Sequence, residues 1–152
     1  MNLIRVGDKA PRVVLPDQEK NLIDVMAFGG TKLLSFHPLA WTTVCQRQME
    51  GLESTVDMFA ELSTQAFGIS VDPVPSKKAW AEAIGITKTR LLSDFWPHGA
   101  VASSFGIFRE TDGISERASV IVDAEGTVRF IKVYPIRETP DVNELLEAIR
   151  AL

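Results

Sequence analysis

The 152-residue sequence contains one cysteine, Cys45, and only two histidines, His37 and His98. A single thiol excludes an internal disulfide and any metal site built from several cysteines. Two lone histidines without a nearby cysteine or acid cluster are poor metal ligands, so we expect neither a metal ion nor another cofactor. One cysteine can still be a nucleophile, and the interpretation of the chain depends on whether Cys45 is reactive or only buried.

Long hydrophobic runs and basic clusters are also missing. No apolar stretch approaches the roughly 20 residues of a membrane-spanning helix. Lysine and arginine do not cluster, and the net charge of −4 disfavours nonspecific nucleic-acid binding. The first residues lack the apolar region of a signal peptide, so we expect a cytoplasmic protein, in which a free thiol is normal. The length and the absence of repeats predict one domain over residues 1–152.

The hydrophobic pattern predicts strands that alternate with helices, followed by a hairpin and a last helix. We predict strands over 13–15, 22–25, 32–37, 65–71, 91–93, 118–122 and 128–134, and helices over 75–84, 98–105 and 140–152, besides the helix that carries Cys45. This order predicts an α/β fold with a central mixed sheet flanked by helices on both faces. A thioredoxin-like fold satisfies it, although periodicity alone leaves other α/β sandwiches open.

Cys45 lies at the start of its predicted helix. Thr43 and Gln46 fit a capping box, with Thr43 as the N-cap residue. Apolar residues then recur every three or four positions from Cys45 to Phe59, which predicts one helical stripe. A lone cysteine on such a stripe is most simply a small buried hydrophobic residue. The first turn of a helix, however, favours an anion through its free N–H groups and dipole.

A thiolate at this position needs a cation as well as the helix. A free cysteine thiol is only about 3% ionised at pH 7, and making the thiolate predominate requires about 3.4 kcal/mol. A helix terminus supplies only about 0.3–1 kcal/mol. Arg117, directly before a buried strand, is the best candidate for the cation, although it could also be a solvated arginine at a strand end. Arg47 is a weaker rival because it faces another side of the helix.

Pro38, Thr42 and Thr43 each allow two interpretations. Thr42 or Thr43 could be a helix cap. If Thr43 is the cap, the Thr42 hydroxyl is free to accept a hydrogen bond from the thiol region or to donate one to a bound oxygen. Pro38 terminates the preceding strand, and it could also pack over the thiol and limit the access of water.

The spacing Pro38-x-x-x-Thr42-x-x-Cys45 resembles the peroxiredoxin signature, and Arg117 stands where that family places its active-site arginine. The resemblance covers nearly the whole chain. Residues 6–11 resemble the family's opening segment and residues 68–72 its second core strand. Residues 91–101 and 105–108 are most similar to the one-cysteine, alkyl hydroperoxide reductase E branch.

The resemblance implies a thioredoxin fold and a thiol peroxidase that reduces hydrogen peroxide and organic hydroperoxides. Cys45 would attack the peroxide and become a sulfenic acid. Arg117 would hold the thiolate, Thr42 and the Cys45 N–H would orient the peroxide, and Pro38 would shield the site; Val44 is implied as a further substrate contact. An external thiol would resolve the sulfenic acid, namely a small thiol or a glutaredoxin-like or thioredoxin-like protein.

The chain departs from the family at His37, where an aromatic residue is more common, at Trp41, which replaces phenylalanine, and at Gln48, which replaces glutamate. Each can alter the polarity of the pocket, and the proline, threonine, cysteine and arginine remain. In this family loops near the active site often form a dimer interface, which the aromatic residues Trp41, Phe95 and Trp96 would suit, so we expect a homodimer or a larger homo-oligomer.

Two other functions are compatible with one thiol. The protein could be a redox sensor in which oxidised Cys45 passes its oxidation to a partner protein. It could also be an inert α/β domain with a buried cysteine. An acidic thiol excludes the inert domain.

Overall fold

The computed structural model describes residues 2–152, which contain nine strands and five α-helices. The strands are β1 (Val14–Pro16), β2 (Leu22–Asp24), β3 (Thr31–Phe36), β4 (Thr64–Ser70), β5 (Arg90–Ser93), β6 (Phe108–Arg109), β7 (Ile114–Ser115), β8 (Arg117–Val122) and β9 (Val128–Tyr134). The helices are α1 (Thr43–Ser54), α2 (Val56–Glu61), α3 (Val74–Ile84), α4 (Ala100–Ser104) and α5 (Val142–Arg150). None of the helices in residues 2–152 has the length and apolar composition that a membrane crossing requires.

Five strands form the central sheet in the order β5-β4-β3-β8-β9. β3, β4 and β5 are parallel, whereas β8 runs antiparallel to β3, and β9 runs antiparallel to β8. The parallel strands are connected through helices, and β8 and β9 form the predicted hairpin. The mixed sheet with a parallel part and an antiparallel edge is therefore confirmed.

The core lies on both faces of this sheet because successive side chains of a strand point to opposite sides. Leu34 and Phe36 of β3 pack on one face with Phe105, at the end of α4. Leu33 points to the other face, where α1, α2, α3 and α5 pack. α1 approaches β4 closely at Gly68, since a side chain there would collide with Met49. Helices thus cover both faces, as the sequence predicts.

Some predicted boundaries are wrong in detail. The apolar stripe from Cys45 to Phe59 lies on two helices, because α1 ends at Ser54 and α2 begins at Val56. The Thr55 hydroxyl at this break donates to the Gly51 carbonyl at 2.7 Å. The predicted helix over 98–105 shortens to α4, since Gly99 has a left-handed φ of 71° that a helix does not accommodate. The pattern also did not predict the short β6–β7 pair.

Candidate active site

Cys45 is the third residue of α1 and has no exposed surface. The segment from Pro38 to Thr42 connects the end of β3 to this helix. The bond from the Gln46 N–H to the Thr42 carbonyl, 2.9 Å long, opens the helical hydrogen-bond series. The Cys45 N–H therefore lies in the first turn, where N–H groups lack carbonyl partners within the helix and favour negative charge.

Arg117 is the first residue of β8, and its side chain is 3% exposed. The neighbouring pair Phe36 and Ala118 aligns β8 with the end of β3, next to the segment that leads to Cys45. Nη1 of Arg117 lies 3.2 Å from the Cys45 sulfur. Nε and Nη2 both donate to the Ile136 carbonyl, at 3.0 and 2.7 Å. Arg117 is thus not a solvated arginine at a strand end.

Arg47, the weaker candidate for the cation, is exposed on the outer side of α1. It is two residues beyond Cys45, which places it on a different face of the helix. The cation that contacts the sulfur therefore comes from β8, not from the helix itself.

Gln48 holds the arginine in place from the next turn of α1. Its Oε1 accepts from Arg117 Nη1 at 2.7 Å, and its Nε2 donates to the Ser35 hydroxyl at 2.8 Å and to the Phe36 carbonyl at 3.0 Å. All polar atoms of this buried amide are thereby engaged with strand β3 and with Arg117. From the sequence, Gln48 was only a departure from a family pattern, and no role was assigned to it.

The predicted capping box is wrong. Thr43 is the first helical residue, and Thr42 occupies the N-cap position with an extended backbone, yet its side chain makes no cap bond. The Thr42 hydroxyl instead donates to the Leu39 carbonyl at 2.8 Å. Because its hydrogen is engaged there, the Thr42 oxygen can accept a hydrogen bond from a ligand but cannot donate one.

The segment before α1 is anchored to the residues that follow β4 and to α3. The Ala40 N–H donates to Asp72 Oδ2 at 2.8 Å, and Trp41 Nε1 donates to the Ser76 hydroxyl at 3.1 Å. Pro38 is buried next to this segment, and Val44 is half-buried in the first turn of α1. The predicted residues therefore lie together on one short stretch of chain, with Arg117 joining them from β8.

A buried polar group below this stretch was not predicted. Lys77 of α3 has no exposed surface; its Nζ donates to the Ser70 hydroxyl at 2.7 Å and lies 3.3 Å from His37 Nε2. Burial, followed by the positive charges of Lys77 and Arg117, holds the pKa of His37 well below 6.5. His37 is therefore neutral. The sequence gives no signal for Lys77, because a lysine on a helix is ordinarily solvated.

The second histidine and three of the aromatic residues lie at the surface. His98 is exposed, with Nε2 2.7 Å from the Gly113 carbonyl. Trp41, Phe95 and Trp96 are 56%, 47% and 80% exposed, so they are not core residues. Within residues 2–152 no group of three or more histidine, cysteine or acidic side chains is arranged to hold a metal ion.

The chain is similar to known proteins in both sequence and fold. The profile of the AhpC/TSA family matches residues 6–131. Alkyl hydroperoxide reductase E of Mycobacterium tuberculosis is 39% identical, over 99% of both chains. The crystal structure of peroxidoxin BcpB from the same organism superposes with a TM-score of 0.86 at 26% identity, over 98% of both chains. Enterococcus faecalis AhpC gives a TM-score of 0.89 at 26% identity, over 99% of this chain and 92% of the other.

The chain belongs to the AhpC/TSA family of peroxiredoxins. Its thioredoxin-like fold is confirmed by the structural neighbours. The family membership makes the protein a thiol peroxidase, as the resemblance implied. The inert domain with a merely buried cysteine is therefore wrong.

Proposed function

We propose that the protein is a one-cysteine peroxidase in which Cys45 reduces hydrogen peroxide and organic hydroperoxides. The observation that carries this proposal is the 3.2 Å contact between Arg117 Nη1 and the Cys45 sulfur at the start of α1. A guanidinium and a helix N-terminus that meet at one sulfur favour its ionised form. The thiolate, not the thiol, is the nucleophile that attacks a peroxide.

In the reaction, the Cys45 thiolate attacks one peroxide oxygen and forms a sulfur–oxygen bond while the oxygen–oxygen bond breaks. The leaving oxygen carries away the bonding electron pair and takes up a proton, which gives water or an alcohol. Cys45 is left as a sulfenic acid. Arg117 stabilises the thiolate before attack and the negative charge that develops on the leaving oxygen.

The remaining site residues hold the peroxide in line with the sulfur. Since the Thr42 hydroxyl donates to Leu39, its oxygen accepts from the peroxide O–H, and the Cys45 N–H donates to the peroxide. Pro38 shields the sulfur from water, and Val44 lines the approach. These are proposed roles for Pro38, Thr42, Val44, Cys45 and Arg117, carried by their common location at the start of α1.

The cycle is completed by another molecule because the sequence contains no second cysteine. An external thiol condenses with the sulfenic acid, releases water and forms a mixed disulfide, and a second thiol then frees Cys45. The reductant is a small thiol or a glutaredoxin-like or thioredoxin-like protein. Because Cys45 is fully buried, a protein thiol reaches the sulfur only after the first turn of α1 moves.

The proposal extends to the setting in which the enzyme works. A cytoplasm with abundant thiols supplies the reductant and keeps Cys45 reduced. The exposed side chains of Trp41, Phe95 and Trp96 suit an interface between two copies, which makes a homodimer or larger homo-oligomer the proposed assembly. We also propose that residues 1–152 act as one peroxiredoxin domain.

Intact-mass analysis after one equivalent of hydrogen peroxide, with and without an added small thiol, tests the mechanism. We expect a gain of one oxygen atom without thiol, a mixed disulfide with thiol, and neither in Cys45→Ser. A wild-type protein that gains no oxygen contradicts the proposal.

Trapping of mixed disulfides in a lysate distinguishes the redox sensor, which would give one dominant protein partner instead of general reductants.

A further inference from the structure

Lys77 places an amino group in the protein interior without a carboxylate in direct contact among residues 2–152. Its Nζ bonds to the Ser70 hydroxyl at 2.7 Å and lies 3.3 Å from His37 Nε2. Removing an ammonium from water without such a partner is unfavourable, and lysines held this way concentrate at functional sites.

Three acidic groups from different parts of the fold influence Lys77. Burial is the largest influence and lowers the pKa of Lys77, against the negative charges of Asp72, Cys45 and Asp94, so that the pKa is about 7 instead of 10.5. Asp72 follows β4, Asp94 follows β5, and Cys45 is on α1. Lys77 therefore changes its charge near neutral pH, and a negative charge on Cys45 is one of the influences that favour its charged form.

His37 contacts Lys77 and is influenced by both cations of the site. The imidazole is fully buried and is kept neutral by burial and by the charges of Lys77 and Arg117, which hold its pKa well below 6.5. A neutral ring with its proton on Nδ1 offers the Nε2 lone pair to the Lys77 ammonium. Lys77 and Arg117 thus bring two cationic side chains to this region from α3 and β8, and each of them favours a negative charge on Cys45.

Lys77 is also connected to the segment that precedes α1. The Ser70 hydroxyl accepts from Lys77 and donates to Asp72 Oδ2 at 2.6 Å. The same carboxylate oxygen accepts from the Ala40 N–H at 2.8 Å. A chain of three hydrogen bonds therefore runs from the ammonium to the backbone between Pro38 and Thr42.

We propose that Lys77 is a positioning residue for the peroxide reaction. Held by Ser70 and His37, its ammonium adds a second positive charge that favours the Cys45 thiolate, and through Asp72 it fixes the segment at Ala40. The inference rests on the proposed role of Cys45 as the nucleophile. Lys77 supplies a second positive charge besides that of Arg117, and this second charge is lost as the pH rises through about 7.

The test compares Lys77→Met with Lys78→Met, its exposed neighbour, whose Nζ lies 3.3 Å from Glu19. The second-order rate constant for oxidation of Cys45 by hydrogen peroxide is measured across the pH range, together with the thiolate absorbance. Below about pH 7 we expect Lys77→Met to react about tenfold more slowly, because it lacks the charge. At higher pH, where wild-type Lys77 is neutral, the difference between the two rates should shrink. Lys78→Met should match wild type throughout.

Two outcomes overturn the inference. One is a Lys77→Met profile that coincides with wild type, and the other is a rate reduced by the same factor at every pH, which indicates a structural role alone. If Lys77→Met does not fold, the profile of Ser70→Ala decides, since it keeps the charge but removes its anchor, and an unchanged profile then refutes the inference. A wild-type protein that reacts no faster than free cysteine refutes the proposed function instead.

Discussion

One nitrogen of Arg117 contacts both Gln48 and Cys45: Nη1 donates to Gln48 Oε1 at 2.7 Å and lies 3.2 Å from Cys45 Sγ. Gln48 is fixed in turn by its bonds to Ser35 and Phe36 on β3. The amide orients the guanidinium without adding a negative charge that would compete with the thiolate. The positive charge of Arg117 is therefore available to the sulfur.

Replacement of Arg117 by methionine should remove this charge while preserving most of the buried volume. We expect the rate of Cys45 oxidation at about pH 7 to fall by about 10- to 100-fold, in line with a lost charge-assisted contact. The thiolate absorbance at the same pH should fall too. Arg47→Met is the matched control, because Arg47 is exposed and should leave both quantities unchanged. An Arg117→Met protein with wild-type thiolate absorbance would move the electrostatic role to another residue.

Gln48→Leu should loosen Arg117 without removing its charge. We expect a smaller loss of rate, about three- to tenfold, since one of the hydrogen bonds that orient the guanidinium is missing. In the double variant with Arg117→Met, the Gln48 substitution should have little further effect, because Gln48 acts through the arginine. Fully additive losses in stopped-flow rates would show that Gln48 acts independently.

Thr42→Val tests whether the Thr42 hydroxyl oxygen accepts a hydrogen bond from the peroxide. The Thr42 hydroxyl is oriented by its bond to the Leu39 carbonyl, so its removal should lower the rate with hydrogen peroxide by about tenfold or more. Thr42→Ser should restore most of the rate. Thr43→Val, at the exposed next position, is the control and should react like wild type. If Thr42→Val keeps the wild-type rate, the proposed role of Thr42 is wrong.

The Glu53 carboxylate on α1 should make the free energy of unfolding depend on pH. Partial burial is the largest single influence and opposes ionisation, but hydrogen bonds from Thr87, Thr89 and Lys88 together outweigh it and lower the pKa of Glu53 from 4.5 to about 2. The unfolded chain therefore binds more protons between these values. The stabilisation is fully present above about 4.5 and is lost as the pH falls towards about 2.

Glu53→Gln should thus reduce the free energy of unfolding at neutral pH by about 1 kcal/mol, a figure that allows for the exposure of the carboxylate. Urea unfolding of wild type and variant at neutral and acidic pH measures the difference. It should shrink in acid. Glu61→Gln, at an exposed position of α2, is the control. A difference that grows in acid would contradict the assignment.

The sequence predicted the order of strands and helices along the chain, apart from β6 and β7, because apolar periodicity follows directly from burial. It also predicted Arg117 as the cation, since the energy of ionising a thiol requires one. It could not predict that Thr42, not Thr43, occupies the N-cap position, because the turn at Trp41 has a left-handed φ of 68° that the residue type does not suggest. Nor could it predict the inward orientation of Lys77, which depends on the Ser70 hydroxyl at the end of β4 and on the ring of His37, 40 residues away in the sequence.

The second-order rate constant for the reaction of Cys45 with hydrogen peroxide, measured by stopped flow on the reduced protein at about pH 7, tests the central claim most directly. The account predicts a reaction orders of magnitude faster than that of free cysteine, abolished in Cys45→Ser and slowed in Arg117→Met. A Cys45 thiol that reacts no faster than free cysteine would contradict it.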